Sequence, residues 1–270
     1  MKRENLKRLS MGVSLGMCLG TGVLQPAWAI ENALENGDFE TGNLSGWDSS
    51  GDAGVLDQNV LDGTWSAFIT TAGEGENPLS GNDAVGNTAS FLDSDFGFPT
   101  KPYKAISVSF LVRYKTDESV GPFSFFEDPF HAELVTGQGA VELLTIKTDG
   151  ISGPTSAFPP TGISTKVTDL ETGERLSLSR PAIPTFVEDE LFALRTHTLK
   201  VESRVPVGRD SCDRVRIKFH ILDWEDTEVN SAAFIDNVKV AFVSSPLAPH
   251  CPPQPNGLAT FATEPHVGAR

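Results

Sequence analysis

The sequence of 270 residues is poor in tyrosine, cysteine and basic residues, and it has no long apolar stretch after residue 29. The lack of such a stretch argues against a membrane span in the chain that follows. Lys and Arg total 21 against 36 Asp and Glu, and the formal net charge is −15. Nucleic acid and anionic lipid are therefore poor partners, whereas cations, neutral glycans and basic surfaces stay open as partners, and solubility alone is the commoner reason for such a charge.

Motifs of known catalytic sites are also missing. The Gly-x-Ser-x-Gly pattern occurs at 12–16, inside the apolar run of the first 29 residues, and the chain after residue 29 has no such nucleophile motif. It also lacks a Glu-x-Asp-x-x-Glu run, which would place an acid and a nucleophile on one strand face. No metal-binding spacing occurs among the five histidines, which are His131, His197, His220, His250 and His266. We therefore expect a non-catalytic protein, and a hydrolase or lyase acting on polysaccharide is the alternative.

The first 29 residues have the pattern of a secretory signal peptide. Four basic residues precede an apolar, glycine-rich run at 11–24, and Ala27-Trp28-Ala29 is a small-x-small cleavage motif. We expect cleavage after Ala29 and secretion to an extracellular or periplasmic location. An uncleaved anchor and a lipid attached at Cys18 are the alternatives. Residues 30–243 are predicted to form one domain, and residues 244–270, which are rich in Pro, Ala and Gly, a flexible tail.

Two cysteines, Cys212 and Cys251, follow the predicted cleavage site. Because an exported chain meets an oxidising compartment, an even pair favours a disulfide bond. Cys212 precedes a predicted strand at 215–222, and Cys251 follows one at 233–243. If these strands are antiparallel, the start of one lies near the end of the other. We therefore predict a Cys212–Cys251 bond, with two free thiols as the alternative.

Alternation of apolar and polar residues predicts many short strands. The pattern is clear at 106–112, 130–134, 198–202 and 215–221 and less strict at 65–70 and 141–146, and residues 233–235 and 238–240 build the last strand. At most a short helix fits near residues 86–91, and a Pro-rich excursion at 150–190 holds one predicted hairpin at 166–178. The pattern predicts an all-β fold, a jelly-roll β-sandwich of two antiparallel sheets. It places His131 and His220 on outward strand faces as ordinary surface residues.

Two polar motifs lie near the ends of the predicted domain. The first is Asn36-Gly37-Asp38-Phe39-Glu40-Thr41-Gly42, followed by Gly46-Trp47, and the second is Ala233-Phe234-Ile235-Asp236-Asn237-Val238. Together they resemble the ends of bacterial secreted jelly-roll modules, which are related to galactose-binding-like carbohydrate-binding modules and occur in exosortase-sorted (PEP-CTERM) proteins. Weaker matches lie at 66–73 and 116–130. The resemblance spans roughly residues 34–242, but the C-terminal sorting signal is absent and the 150–190 excursion is unusually long.

The resemblance implies a secreted, non-catalytic module that binds glycans or matrix components and holds a structural calcium ion. In the related modules, the positions of Glu40 and Asp236 converge on calcium together with backbone carbonyls. Calcium takes about 6–8 oxygen ligands, so these carboxylates would join the two ends of the domain. The alternative is that both carboxylates accept backbone N–H groups at strand ends. Acidic runs at 117–128 and 223–228 are more often solvated loops than cation sites.

Glycan binding needs exposed aromatic faces with polar groups nearby. Trp224 is the first candidate, because it lies in an acidic loop and not at a clear core position. Tyr103 and Tyr114 are the next candidates, whereas Trp47 and Trp65 are predicted to be core residues. A purely structural surface protein without a small ligand is the remaining alternative.

Overall fold

The computed structural model describes residues 34–71, 89–95, 99, 102–116, 128–147, 150–156, 162–178, 197–222, 231–244 and 250–252. The predicted signal peptide, Trp224, the acidic residues at 223–228 and nearly all of the predicted tail lie outside these residues. Within them, the structure contains no helix of the length and apolarity that crossing a membrane requires.

The described residues form two antiparallel β-sheets that pack as a sandwich, as the sequence predicts. In chain order the strands are β1 (Asp48–Ser50), β2 (Asp52–Leu56), β3 (Ser66–Thr70), β4 (Ala89–Asp95), β5 (Tyr103–Thr116), β6 (Phe130–Thr136), β7 (Gly139–Lys147), β8 (Gly150–Ser152), β9 (Thr155–Ser156), β10 (Ser164–Asp169), β11 (Arg175–Leu176), β12 (Leu199–Ser211), β13 (Val215–Leu222) and β14 (Ser231–Ser244). The front sheet has the order β1-β4-β13-β6-β7-β8, with β9 paired to β7. The back sheet has the order β11-β10-β12-β5-β14-β3-β2.

Alternation along the strands decides which side chains enter the core between the sheets. Along β13, every second residue from Val215 is buried, and the residues between them are half-buried. Phe219 lies at the centre of an aromatic cluster. It packs edge-on against Phe110, stacks on Phe130 and lies 6.0 Å from Trp47. Because burying each such side chain contributes roughly 1.5–3 kcal/mol, this cluster is a main source of adhesion between the sheets.

A smaller apolar cluster lies on the outer face of the back sheet. Phe68 and Phe234 form its centre, and Leu56 and Leu61 pack against it. The segment between β2 and β3 therefore crosses the outside of this sheet, which explains why all five residues of β3 are buried. The same crossing brings the turn after Leu61 onto β14, beside Asp236.

The opening segment of the described chain joins the last strand. The Val238 N–H donates to the Gly37 carbonyl at 2.7 Å. Nearby, the register of β14 against β5 shifts between Asp236 and Lys239, and Asn237 has a φ of 50°. Such a β-bulge bends a strand locally and re-aims its side chains. The two sequence motifs at the ends of the domain therefore meet at this bulge.

Two predictions about local structure have different outcomes. The short helix near residues 86–91 is wrong where the structure describes it, because residues 89–95 form β4. This strand pairs with β1 on one side and β13 on the other, so cross-strand bonds replace helical ones. The hairpin at 166–178 is confirmed, since β10 and β11 pair through Val167 and Leu176.

The predicted disulfide bond between Cys212 and Cys251 is confirmed. Cys212 directly follows β12, and Cys251 lies beyond the end of β14. Their Cα atoms are 5.8 Å apart, within the usual range for a disulfide.

We expect replacement of both cysteines by serine to lower the free energy of unfolding by about 2–4 kcal/mol. The bond joins residues that are 39 positions apart, and closing a loop of that size restricts the unfolded chain. Urea unfolding of the wild type and the double variant measures the difference. A reducing agent should lower the stability of the wild type only. Equal stability of the wild type and the double variant without reducing agent would contradict the prediction.

Candidate functional site

The two end motifs enclose an acidic cavity of about 410 Å³. Its lining includes the basic residue Lys239 and four acidic residues, which are Asp38, Glu40, Asp62 and Asp236. The structure therefore brings both predicted metal ligands, Glu40 and Asp236, to one cavity. It also adds two carboxylates that the sequence alone did not single out.

Asn36 and Phe39 hold the loop that carries the first two carboxylates. The side-chain amide of Asn36 donates to the Asn43 carbonyl at 2.8 Å, and its oxygen accepts the Thr41 hydroxyl at 2.8 Å. Phe39 is fully buried, with its ring 5.2 Å from that of Trp47. The loop is thereby fixed to the core on one side and presents its carboxylates at the cavity.

Glu40 fastens this loop to the turn before β3. One of its carboxylate oxygens accepts the backbone N–H groups of Thr64 at 2.7 Å and Trp65 at 3.1 Å. These two bonds hold the pKa of the exposed Glu40 carboxyl below its usual value. The bond from Thr64 has the larger effect, and that from Trp65 comes second. Gly63 is required beside it, because a Cβ at this position would lie only 2.2 Å from the Glu40 carboxylate.

Asp236 is fully buried and accepts three hydrogen bonds. One carboxylate oxygen accepts the Ser66 hydroxyl at 2.7 Å and the Asp62 N–H at 3.1 Å, and the other accepts the Asn237 N–H at 2.6 Å. Burial nevertheless raises the pKa of Asp236 to about 6, and the charge of Asp62 adds to the rise. A nearby cation would offset both effects.

The structure contains features of both interpretations of Glu40 and Asp236. Each carboxylate accepts backbone N–H groups, as the strand-end alternative predicts. Each also shares a cavity with further carboxylates, as a cation site requires. A donor set made only of oxygens suits Ca²⁺ better than a transition metal. Asp62 was missed in the sequence, although Asp62-Gly63 forms a turn signal directly before a predicted strand.

A second group of side chains could hold a metal ion. Ligand atoms of Asp169, Glu171 and His197 lie within 4.8 Å of one another. Nδ1 of His197 is 2.7 Å from a carboxylate oxygen of Asp169, and the Glu171 carboxylate accepts the Thr198 N–H at 2.8 Å. The pairing of β10 with β12 assembles this group, so the spacing of its residues in the sequence did not reveal it. The same contacts fasten the turn after β10 to β12.

The interpretation of Tyr103 and Tyr114 as glycan-contacting residues is wrong, because both side chains are buried in the core. The Tyr103 hydroxyl donates to the Asp213 carbonyl at 3.2 Å. The Tyr114 hydroxyl donates to the Asp128 carbonyl at 2.6 Å. Both lie on β5, outside the segment 106–112 in which alternation is clear. The sequence pattern therefore did not show that these two positions point into the core.

The two tryptophans predicted to be core residues differ. Trp47 is buried, with its indole N–H donating to the Asn36 carbonyl at 3.2 Å. Trp65 is only half-buried, and its indole lies against Gly42. Its half-exposed ring therefore stands at the surface, beside the cavity residue Glu40.

Polar side chains form a second candidate site on the outward side of the front sheet. We name it the histidine face and define it by His131, Glu142, Thr145, Thr155 and His220. Strand register places His220 opposite His131, and His131 opposite Thr145. The two imidazole rings stack at 4.7 Å with an angle of 23° between their planes.

Hydrogen bonds connect the members of the histidine face. Nδ1 of His131 lies 3.1 Å from both a Glu142 carboxylate oxygen and the Thr145 hydroxyl. Since an ionised carboxylate only accepts, His131 donates to Glu142 from Nδ1. Thr155 donates its hydroxyl to the other Glu142 oxygen at 3.1 Å. The hydrogen bond from His131 is the first cause that lowers the pKa of Glu142 to about 2.

His220 is the residue of this face whose hydrogen bonding is incomplete. Its Nδ1 is buried and has no hydrogen-bond partner in the part of the chain that the structure describes. Burial, followed by the charges of His131 and Lys218, lowers the pKa of His220 to about 3, so the ring is neutral at physiological pH. The sequence placed both histidines on outward faces correctly, but their stacking and burial depend on register and were missed.

Comparisons with known proteins show no family for this chain. Neither a protein-family model nor a curated protein matches this chain. Among solved structures, the carbohydrate-binding module TmCBM61 in complex with β-1,4-galactotriose is 13% identical, with 78% of this chain and 99% of that chain covered and a TM-score of 0.40. The CBM22-1 xylan-binding domain of Paenibacillus barcinonensis Xyn10C is 13% identical (81% and 99% covered, TM-score 0.37).

A Stig cyclase from Fischerella sp. TAU, solved with an indole compound, is also similar in structure. It is 12% identical, with 80% of this chain and 99% of that chain covered and a TM-score of 0.39. Structural neighbours of this β-sandwich thus include carbohydrate-binding modules and a cyclase. Function therefore has to be argued from the sites.

Proposed function

We propose that this protein is a secreted, non-catalytic module that binds glycans on its histidine face. The observation that carries the proposal is the buried, unpartnered Nδ1 of His220 among the described residues. A buried polar atom without a partner costs about 1–3 kcal/mol, and such atoms in native proteins call for an explanation. Nδ1 itself is closed to solvent, so a ligand hydroxyl would reach it only if the His220 ring turned outward; the hydroxyl would then supply the missing hydrogen bond, because it both donates and accepts.

The rest of the face suits a ligand rich in hydroxyl groups. Glu142 offers a carboxylate that is held ionised and oriented by His131 and Thr155. His131 and Glu142 keep about a fifth of their side-chain surface exposed, so they are reachable from solvent. Pre-oriented polar groups lose little conformational entropy on binding, which favours specific recognition. The disulfide bond is in keeping with a secreted protein.

We further propose that the acidic cavity holds a structural calcium ion. Asp38, Glu40, Asp62 and Asp236 would supply its carboxylate ligands, and the ion would join the opening motif to β14. This ion would stabilise the fold and would not contact the glycan, since Asp236 lies on the back sheet and the histidine face on the front sheet.

A glycan array probed with the exported protein tests the proposed function. We expect binding to at least one immobilised glycan, and His220→Ala should weaken that binding about tenfold, the equivalent of roughly 1.4 kcal/mol. His250→Ala is the matched control, because this histidine is exposed beside Cys251 and should leave binding unchanged. Release of reducing sugar from a bound glycan would instead support the hydrolase alternative. Absence of any binding would favour a purely structural protein.

A further inference from the structure

We infer that the histidine face selects uncharged, hydroxyl-rich glycans and rejects glycans that carry carboxylate or sulfate groups. This inference rests on the proposed glycan binding and specifies the chemical class of the ligand. It follows from the side chains that surround the two stacked histidines on the outward side of the front sheet.

A charged row runs across four strands next to the histidines. Strand register places Asp93 on β4 opposite Lys218 on β13, Lys218 opposite Glu133 on β6, and Glu133 opposite Glu142 on β7. The row therefore consists of one ammonium group and three carboxylates, in the order carboxylate, ammonium, carboxylate, carboxylate. Lys218 therefore has a carboxylate-bearing residue opposite it on each neighbouring strand, Asp93 on one side and Glu133 on the other.

The guanidinium group near this row is also engaged by a carboxylate. Arg216 forms an ion pair with the nearly buried Asp93, in which Nε lies 3.1 Å from one carboxylate oxygen and a terminal nitrogen contacts the other. The guanidinium edge formed by Nε and this terminal nitrogen faces Asp93. An anionic sugar would have to compete with Asp93 for Arg216, although arginine is the side chain best suited to bind carboxylate or sulfate.

His220 adds no compensating positive charge at neutral pH. Burial keeps His220 neutral, and the hydrogen bond from His131 helps to keep Glu142 ionised. A neutral hydroxyl can donate to Glu142 and accept from, or donate to, an imidazole nitrogen. A ligand carboxylate or sulfate can only accept hydrogen bonds. On this face it would lie close to the carboxylates of Glu142 and Glu133. At low ionic strength such like-charge contacts are repulsive, and the net charge of −15 on the chain adds to the effect.

Matched polysaccharide pairs test this inference with the exported protein. The pairs are hydroxyethyl cellulose with carboxymethyl cellulose, dextran with dextran sulfate, and methyl-esterified with free polygalacturonate. Affinity electrophoresis in 50 mM and 500 mM NaCl compares the members of each pair. We expect binding to at least one neutral member and at least about tenfold weaker binding to its anionic partner in 50 mM NaCl. The difference should shrink in 500 mM NaCl, because salt screens charge repulsion but not a steric clash.

Variants connect the selection to this face. Glu133→Gln should improve binding of the anionic partner several-fold, whereas Glu174→Gln, at an exposed turn remote from the face in sequence and register, should not. Binding of an anionic member as strong as that of its neutral partner, and weakened by His220→Ala, would overturn the inference and leave glycan binding intact. A panel without any binding would contradict the proposed function itself.

Discussion

Calcium raises the melting temperature of the chelator-treated protein, and Asp236→Ala removes most of that increase. This is the expected result if the acidic cavity holds a calcium ion. An ion present at 100 times its dissociation constant stabilises the folded state by about 2.7 kcal/mol. For a domain of this size, that corresponds to a rise of roughly 5–10 °C. Differential scanning calorimetry in EDTA and in excess CaCl₂ measures the change.

The pKa of Asp236 predicts how the calcium effect depends on pH. Its pKa of about 6 lies above the ordinary value of 3.8, so between these two values the folded state binds more protons than the unfolded state. Without calcium, the contribution of this group to the free energy of unfolding therefore falls as pH rises from about 4 to 6. Above that range the contribution is constant. The shift amounts to roughly 3 kcal/mol at about 1.36 kcal/mol per pKa unit. Calcium should therefore stabilise most above pH 6 and little near pH 4.

Two further variants separate a cation site from a strand-end cap. Asp236→Asn keeps the shape of the side chain but removes its charge, so much of the response to calcium should disappear whatever the variant's stability in EDTA. Glu174→Gln removes an exposed carboxylate from the turn before β11 and should keep the full response. If the wild type melts at the same temperature in EDTA and in CaCl₂, the carboxylates of Glu40 and Asp236 serve only as caps for backbone amides.

Gly37→Ala should destabilise the protein by about 3 kcal/mol, or roughly 10 °C, because it separates the opening loop from the last strand. A Cβ at Gly37 would lie 2.1 Å from the Val238 carbonyl oxygen and 2.8 Å from the Leu34 side chain. The first of these atoms belongs to the β-bulge of β14, whose neighbours Asp236 and Lys239 are both paired with β5, so its backbone cannot move freely. The hydrogen bond from the Val238 N–H to the Gly37 carbonyl would have to lengthen or break. Thermal unfolding in EDTA measures the loss without a contribution from calcium.

Gly173→Ala is the matched control for this variant. A Cβ at Gly173 meets nothing within 4 Å, so only its positive φ of 73° penalises the substitution, by about 1 kcal/mol. Gly37→Ala should also weaken calcium binding, because the loop that it displaces carries Asp38 and Glu40. Equal melting temperatures for the two alanine variants would mean that the Gly37–Val238 contact does not hold the ends of the domain together.

Several parts of this structure were predictable from the sequence because they depend on neighbouring residues. Alternation from Val215 to Leu222 is a property of one segment, and it correctly predicted β13 and the outward position of His220. The pairing of Cys212 with Cys251 is confirmed, but the expected adjacency of the strands beside them is not, because β13 and β14 lie in different sheets. Local alternation failed for Tyr103 and Tyr114, which lie near the ends of the long strand β5, where polar and small residues obscure the pattern.

By itself, then, the sequence determined the fold class, the main strands and the two end motifs, because backbone geometry couples residues that are only two positions apart. Only the tertiary structure decided which outward side chains meet. The stacking of His131 on His220 depends on the register between β6 and β13, and the approach of Asp62 to Asp236 depends on the path of the segment between β2 and β3. These contacts join residues that are 89 and 174 positions apart along the chain, beyond the range of any local pattern.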